Sequence, residues 1–453
     1  MTDQLPIPSV KGVPFLGSTF AFLHNPLGFL RRLQTQYGDQ RLVRIQLGRR
    51  TVTVLLKPEE AKYVLQENNR NYGRGRSYKV LREFLGDGLL TTDGDYWRRQ
   101  RRLAQPAFHR QKLALLADTM IDEAVAWTER LQKLDRTQPI DVSTVLTDVT
   151  LRIVTKTLFG SGLGNQTASL SQALNELNRI ISQTVLNPLR LPSWFPSPAN
   201  QAYEKASKQV HDLITGIIQT RRQDTTHHDD LLDMLLRATD EETGEGMTDA
   251  QLLSELITLF TAGHETTATS MAWTLYLLAT HPDVQTRART EAQQTLGTRT
   301  RFSADDLRAM PYLSQIVNES LRLYPPAWAM SRLSLGPDKL GVYPLAADEG
   351  VLISPYILHH DPASWPNPDQ FDPNRFAPER ATERHSYAFL PFGGGPRLCI
   401  GNQFALLEMM ALLGQLLTTF DLTSVDTIPV QPSPLITLRS KQPIRLYVRN
   451  LPV

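Results

Sequence analysis

The chain has 453 residues, of which 41% are hydrophobic, so it can bury an extensive core and lacks the composition of a disordered protein. Its 48 basic and 46 acidic residues give a net charge of +2, which argues against nucleic acid as a partner. The single cysteine excludes an internal disulfide and any zinc or iron–sulfur site that needs several cysteines.

The first part of the chain predicts an extended segment, a strand pair and then helices. Residues 1–26 hold four prolines and predict an extended lead-in. Strands at Leu42–Leu47 and Thr51–Leu56 should pair around a Gly-Arg-Arg turn. From Asp95 to Leu278 the apolar spacing is mostly helical.

Two long helices and short strands dominate the predicted second half. Thr248–Thr280 begins at a Thr-Asp capping signal, and a second helix, Met310–Tyr324, ends before two prolines. A final helix should cover residues 401–420, with strands at Val351–Ser354 and within Leu435–Val448. The sequence therefore predicts a mainly α fold with a minor β-rich region, and we expect one domain over residues 1–453 because no linker or repeat divides it.

The N-terminus has no charged segment followed by an apolar run, so we expect no signal peptide. No stretch reaches the 18 or so apolar residues of a membrane span. We therefore expect a soluble, cytoplasmic protein.

The only cysteine, Cys399, follows three consecutive glycines and precedes a predicted helix. The glycines let the backbone turn sharply and approach a flat ligand, and the helix start favours a thiolate. Arg397 has the charge to bind an anionic group of the same ligand. On these grounds alone an inert, buried cysteine stays an open alternative.

A polar segment, Ala262–Thr267, interrupts the apolar pattern of the Thr248–Thr280 helix. Gly263 lacks a side chain that would keep a flat cofactor away. A hydroxyl beside a carboxylate, as in Thr266 and Glu265, can relay protons with ordered water. The alternative is a solvated polar stripe, and we interpret His264 as a helix-face residue.

These segments resemble motifs of the cytochrome P-450 family. Residues 392–401 match the family's haem loop, Phe-x-x-Gly-x-Arg-x-Cys-x-Gly, at every specified position, and Ala262–Thr267 matches its oxygen-activation motif. The resemblance implies the family's mainly α fold with haem b, bound non-covalently apart from the bond between Cys399 and iron. The haem would lie between the Thr248–Thr280 helix and the cysteine loop.

The resemblance also implies roles for residues elsewhere. Thr266 and Glu265 would be catalytic and deliver protons. The residues that would bind the haem, besides the iron ligand Cys399, are Arg397, Trp97, Arg101 and Arg332. A structural cluster would consist of Glu319, Arg322 and Arg375.

The implied activity is a monooxygenase that inserts one atom of dioxygen into a C–H bond of a hydrophobic small molecule, such as a fatty acid, a terpenoid or a steroid. We expect no fused reductase, so a separate ferredoxin or flavodoxin with its reductase would supply electrons. The residues expected to dock it are Arg98, Arg99, Arg102, Arg110 and Lys112, and the alternative is that these charges form a solvated helix face. Residues with the chemistry to bind a substrate carboxylate are Arg74, Arg76, Tyr78 and Lys79.

Two other classes of function stay open from the sequence. A thiolate-haem peroxygenase, isomerase or dehydratase needs no electron partner, although such relatives usually lose the acid–alcohol pair that is present here. A haem sensor or electron carrier has no use for a proton relay.

Overall fold

The computed structural model of the chain describes residues 6–135, 137–160, 166–185, 195–381, 384–425 and 427–451. These residues form two compact units. The first unit comprises the described residues within 1–79, 318–402 and 432–439, and the second comprises those within 80–317, 403–431 and 440–453. Each unit therefore collects segments that are far apart in the sequence.

Helices account for most of the described residues. They are α1 (Thr19–His24), α2 (Pro26–Tyr37), α3 (Pro58–Lys62), α4 (Ser77–Leu85), α5 (Gly94–Ala104), α6 (Arg110–Gln132), α7 (Val142–Phe159), α8 (Gln166–Val185), α9 (Pro198–Gln223), α10 (Leu231–Arg237), α11 (Asp249–Thr280), α12 (Pro282–Leu296), α13 (Ala304–Arg308), α14 (Pro311–Leu323), α15 (Pro355–Leu358), α16 (Pro378–Ala381) and α17 (Asn402–Thr419).

The strands are short. They are β1 (Leu42–Leu47), β2 (Arg50–Leu55), β3 (Tyr72–Arg74), β4 (Ile140–Asp141), β5 (Met330–Ser334), β6 (Asp338–Leu340), β7 (Tyr343–Leu345), β8 (Gly350–Ile353), β9 (Phe420–Ser424), β10 (Pro432–Pro434), β11 (Leu438–Ser440) and β12 (Arg445–Asn450). This content confirms the prediction of a mainly helical fold with a minor sheet component.

The main sheet of the first unit has the strand order β1-β2-β8-β5-β3. β1 and β2 form the expected antiparallel hairpin, in which Leu42 pairs with Leu55 and Leu47 with Arg50. Alternate strand residues face a core shared with helix α2. The buried residues of that core are Phe29, Leu30, Leu33, Val43, Ile45, Val54, Leu56 and Ile357.

The lead-in is only partly extended, so that prediction is wrong for its second half. Residues 8–10 do run along β1, through backbone hydrogen bonds of 2.7 and 2.9 Å with Arg44. Helices α1 and α2 follow. Pro26 begins α2, where a missing N–H costs nothing, and Asn25 caps the helix by accepting the Gly28 N–H at 2.9 Å.

Helix α11 of the second unit begins and ends close to where the sequence predicts. Thr248 and Gln251 form a reciprocal capping box, and Pro282 follows the last turn. Every residue from 267 to 279 is buried, so the second half of α11 lies in the core. The preceding turn is more open, because Ala262 is exposed and Thr266 is partly exposed.

The alternating pattern of Leu435–Val448 belongs to two strands of different sheets. β11 pairs with β10, whereas β12 lies between β4 and β9. In the second sheet Leu446 is buried and pairs with Ser424. The period-two pattern predicts strands correctly but does not tell which partner each strand takes.

A buried ion cluster lies in the first unit. The Glu319 carboxylate accepts two hydrogen bonds from Arg322, both at 2.7 Å, and Arg375 Nε lies 3.3 Å from Glu319 Oε1. Arg322 also donates to the carbonyls of His359 at 2.8 Å and Pro368 at 2.7 Å. Burial raises the pKa of Glu319, and the two arginines oppose that shift.

We expect Glu319→Leu to destabilise the protein by about 3–5 kcal/mol, because two guanidinium groups would stay buried without their carboxylate. As a control, Asp95→Asn breaks the exposed pair of Asp95 with Arg98 and should leave the free energy of unfolding nearly unchanged. Urea unfolding at neutral pH measures both effects. Equal stabilities of the two variants would show that the buried cluster does not hold the first unit together.

Candidate active site

Cys399 lies in a loop of the first unit that glycines shape. The backbone passes through left-handed conformations at Gly393 (φ 75°) and Gly395 (φ 68°), which other residues rarely adopt. The Cys399 N–H donates to the Phe392 carbonyl and the Leu398 N–H to the Gly395 carbonyl, both at 3.0 Å. These hydrogen bonds close the loop and leave the Cys399 side chain exposed.

Two of the glycines are required because other parts of the protein approach the loop closely at their positions. A Cβ atom at Gly395 would lie 1.8 Å from the Leu65 carbonyl oxygen, and one at Gly394 would lie 2.7 Å from the Tyr387 ring. The Tyr387 hydroxyl donates to the Gln66 side chain at 2.8 Å. We expected the glycine run to admit a flat ligand, but at these two positions the neighbour is the protein itself.

Two arginines and a tyrosine converge in the first unit where β3 pairs with β5. Arg74 lies directly opposite Arg332 in the antiparallel register, and the Arg74 guanidinium lies 4.6 Å from the centre of the Tyr78 ring. Burial disfavours the Tyr78 phenolate, but hydrogen bonds and positive charge from both arginines lower its pKa overall. Like charges that face each other on a strand pair repel, so an anionic ligand would complement this cluster.

The donor groups of the first unit fit the haem that the resemblance implies. Iron accepts a thiolate, and Cys399 presents its sulfur three residues before the start of α17, where the helix dipole favours negative charge. Carboxylates accept hydrogen bonds from guanidinium groups, which Arg332 and Arg397 provide. Arg397 is half-buried in the cysteine loop.

Helix α5 of the second unit carries Trp97 and Arg101 on one face, four residues apart. Trp97 is buried, and Arg101 donates to Gln105 at 3.2 Å. Nearby carboxylates neutralise much of the expected docking patch on this helix. Its ion pairs are Arg98 with Asp95, Arg99 with Glu245 (3.0 Å), and Arg102 with Asp240 (2.9 Å) and Glu242 (2.8 Å).

The middle of α11 presents the Glu265 carboxyl group and the Thr266 hydroxyl at partly exposed positions, followed by the buried Thr267. Thr266 Oγ1 donates to the Ala262 carbonyl at 2.7 Å, and Thr267 Oγ1 donates to the Gly263 carbonyl at 2.9 Å. Each hydroxyl is thereby oriented and keeps an acceptor lone pair for another group. Glu265 is partly exposed, so it lies within reach of solvent.

Gly263 serves helix packing, and its role in making room for a flat cofactor stays a prediction. A Cβ atom there would lie 3.1 Å from Val154 Cγ2 on α7, so the missing side chain lets the two helices approach. His264 is buried, and its Nδ1 lies 3.0 Å from the Phe260 carbonyl oxygen. These contacts agree with its interpretation as a helix-face residue.

Two buried carboxyl groups of the second unit escaped the motif analysis. Glu255 accepts the Leu89 N–H at 3.1 Å through Oε2, whereas Oε1 has no hydrogen-bond partner in the described part of the chain, and burial raises the pKa to about 7. Glu408 bonds to Thr267, and burial holds its pKa well above the ordinary value. The one indication of each group in the sequence is a single acidic residue within an apolar helical stretch.

Comparison with known proteins agrees with these features. The family model described as Cytochrome P450 matches residues 7–447, nearly the whole chain. The chain belongs to the cytochrome P-450 family. Its assignment to that family rests on this full-length match together with the similarities to individual proteins that follow.

Three curated proteins and one crystal structure illustrate the similarity. Cyclooctat-9-en-7-ol 5-monooxygenase from Streptomyces melanosporofaciens is 34% identical over 91% of this chain and 88% of its own length. Cyclooctatin synthase from the same organism is 35% identical over 96% and 94%, and cytochrome P-450 4A2 from Rattus norvegicus is 35% identical over 88% and 82%. The cytochrome P-450DA haem domain superposes with a TM-score of 0.89 at 27% identity, covering 99% of this chain and 98% of that one.

This cytochrome P-450 is a monooxygenase that uses haem b as its cofactor. It hydroxylates hydrophobic small molecules with dioxygen and takes electrons from a redox partner. Within the described residues, none of the helices combines the length and hydrophobicity that crossing a membrane demands.

Glu255 makes the stability of this cytochrome P-450 depend on pH. Burial raises its pKa from 4.5 to about 7, so between these pH values the folded chain holds a proton that the unfolded chain has released. Stability therefore falls as the pH rises from 4.5 to about 7 and stays reduced above it. The difference corresponds to at most about 3 kcal/mol.

Glu255→Gln should remove this component, because the amide is neutral at every pH and still accepts the Leu89 N–H. We expect the variant to be the more stable protein at pH 8 and to lose that advantage at pH 5. Urea unfolding at both pH values, with exposed Glu129→Gln as the control, measures the difference. Parallel pH profiles for wild type and Glu255→Gln would contradict the assigned pKa.

Proposed function

We propose that Cys399, as a thiolate, is the axial ligand of the haem iron. The observation that carries this proposal is the exposed position of Cys399 in a loop closed by its own backbone hydrogen bonds, directly before α17. The side chains that would bind the haem carboxylates are Arg397, Arg332, Trp97 and Arg101. When bound, haem with a thiolate ligand supplies the activation of dioxygen and the transfer of one oxygen atom to a C–H bond.

Thr266 and Glu265 deliver protons in this proposal. The Thr266 hydroxyl donates a hydrogen bond to the Ala262 carbonyl. In this proposal the hydroxyl passes its proton to another acceptor and receives a proton from a neighbouring donor. Glu265 exchanges protons with solvent because it is partly exposed, and ordered water links it to the hydroxyl. Burial raises the pKa of Glu408 well above its ordinary value, which favours the neutral form of this carboxyl group beside the segment.

A cyclic hydrophobic molecule, as a terpenoid or steroid would be, is the substrate that we favour. One Streptomyces relative is named for the oxidation of a cyclic alkenol, and two relatives from that organism match over 88% and 94% of their length. A fatty acid is the second candidate. The structure offers less for its carboxylate than the sequence predicts, since Tyr78 bonds with both Arg74 and Arg332, and Arg76 pairs with Asp348.

The electrons come from a separate ferredoxin or flavodoxin in this proposal, and a cytoplasmic location would give access to such carriers. Arg110 and Lys112 are exposed and have no ion pair among the described residues, so they suit an acidic partner. The paired arginines of α5 contribute less, because their carboxylate partners cancel much of their field.

Cys399→Ser should abolish the thiolate signature in a carbon monoxide difference spectrum of the reduced protein, because a serine hydroxyl is not a thiolate donor. Leu398→Ala, an exposed neighbour in the same loop, serves as the control and should keep the signature. A normal thiolate spectrum in Cys399→Ser would overturn the proposed iron ligand.

Thr266→Ala should uncouple electron consumption from product formation. Loss of an aligned proton donor typically costs a hundredfold or more in a proton-transfer step, so we expect the product formed per NADPH to fall by about tenfold or more. Thr274→Ala is the matched control, since that buried hydroxyl also donates to the carbonyl four residues earlier, at 2.8 Å. Unchanged coupling in Thr266→Ala would remove Thr266 from the mechanism.

A parallel assay separates the monooxygenase from a peroxygenase. We expect product with a ferredoxin, its reductase and NADPH, because the acid–alcohol pair for dioxygen activation is intact. Product with hydrogen peroxide alone, and none with the electron-transfer proteins, would assign peroxygenase activity instead.

A further inference from the structure

Exposed apolar side chains cluster near the start of the first unit, apart from the residues discussed so far. Phe15 is 90% exposed, and Phe20 and Leu23 are each 65% exposed. Single exposed apolar residues are common, whereas a cluster marks an interaction site. We call this cluster the N-terminal apolar patch, and it consists of Val13, Phe15, Leu16, Phe20 and Leu23.

A tight turn holds the Phe15 side chain out in solvent. The Val13 N–H donates to the Gly17 carbonyl at 3.0 Å, and the Gly17 N–H donates to the Val13 carbonyl at 2.7 Å. Phe15 lies at the tip of this turn with a φ of 62°, a left-handed conformation that is unfavourable for a bulky side chain. A strained residue that displays a phenyl ring to solvent indicates a functional contact.

Helix α1 continues the patch with an outward apolar face. Phe22 packs inward against Phe29, with ring centres 6.0 Å apart. Phe20 and Leu23, three residues apart, share the opposite, exposed side. Phe22 therefore anchors the short helix, whereas Phe20 and Leu23 are exposed to solvent.

Unpaired positive charge borders the patch. The Gly48 N–H donates to Thr19 Oγ1 at 2.7 Å and to the Leu16 carbonyl at 3.4 Å, so the turn of the β1–β2 hairpin lies beside it. Arg49 and Arg50 on this turn are exposed, and neither forms an ion pair with any described residue.

The surrounding sequence is strongly basic as well. Between residues 6 and 50 the only acidic residue is Asp39. Three arginines of this segment pair with carboxylates elsewhere, namely Arg31, Arg41 and Arg44. The cations without an ion pair within the described residues are Lys11, Arg32, Arg49 and Arg50.

We infer that the N-terminal apolar patch and the Arg49–Arg50 turn bind the surface of an anionic phospholipid bilayer. The apolar side chains would enter the boundary between headgroups and acyl chains, and the cations would contact the phosphates. Self-association fits less well, because two copies facing each other would bring these cations together. A hydrophobic substrate concentrates in the same bilayer, so surface binding would bring enzyme and substrate together.

Co-sedimentation of the holoprotein with vesicles tests this inference. We expect binding to phosphatidylcholine vesicles that contain about 30% phosphatidylglycerol, an anionic fraction of the order found in natural membranes. We expect little binding to vesicles of phosphatidylcholine alone. Phe15→Ser should weaken binding by about tenfold or more, since it removes the most exposed ring. Arg49→Ala/Arg50→Ala should weaken it by about twenty-five-fold at low salt, from about fivefold for each cation.

Matched controls use residues outside the patch. Ile428→Ser removes a similarly exposed apolar side chain, and Lys133→Ala/Lys441→Ala removes two exposed cations. Both controls should bind like wild type, and every variant should keep its carbon monoxide spectrum. Failure of wild type to bind anionic vesicles, or equal binding by Phe15→Ser, would overturn the inference. If the wild type does not bind vesicles but forms a dimer, and Phe15→Ser abolishes that dimer, the patch would bind a second copy of the chain instead.

Discussion

The buried pair of Glu319 and Arg322 is the interaction on which the cysteine loop depends. The backbone carbonyl of Arg322 accepts a hydrogen bond from His359 Nδ1 at 3.1 Å, and His359 Nε2 accepts the Leu390 N–H at 2.7 Å. The Leu390 carbonyl in turn accepts the Gly393 N–H at 3.1 Å. Burial lowers the pKa of His359 well below its ordinary value, so the ring stays neutral and keeps one donor and one acceptor. A continuous chain of hydrogen bonds thus joins the ion cluster to the start of the loop.

Helix α11 accommodates a hydroxyl-rich segment at little cost because its hydroxyls bond within the helix. Thr266, Ser270 and Thr274 each donate to the carbonyl four residues earlier, which satisfies the donor without an external partner. The buried carboxyl groups of Glu255 on the helix and Glu408 beside it favour the neutral form. The segment Ala262–Thr267 is therefore polar but receives little fixed charge from its buried surroundings.

The candidate site residues Cys399 and Thr266 can be proposed from the sequence because the chemistry demands one residue type at fixed spacing. Hairpins and helices also follow from apolar periodicity. The role of Gly263 could not be predicted, because its neighbour belongs to another helix. The same holds for Arg102, whose carboxylate partners lie more than a hundred residues away, and for Glu255, whose burial depends on a distant backbone amide. Sequence motifs indicate which residues form the candidate site, whereas the surroundings of those residues depend on packing between distant parts of the chain.

The contact between Gly395 and Leu65 restricts how the cysteine loop can change in evolution. Gly395 meets a backbone carbonyl, so no substitution of the Leu65 side chain makes room for a larger residue at position 395. The segment Tyr63–Glu67 is a π-helical turn, which holds more residues per turn than an α-helix. Replacing the Leu65 side chain leaves its backbone carbonyl in place, but an insertion or deletion in this turn would displace the carbonyl. Loop and turn are therefore linked by a mutational constraint that no single compensating substitution relieves.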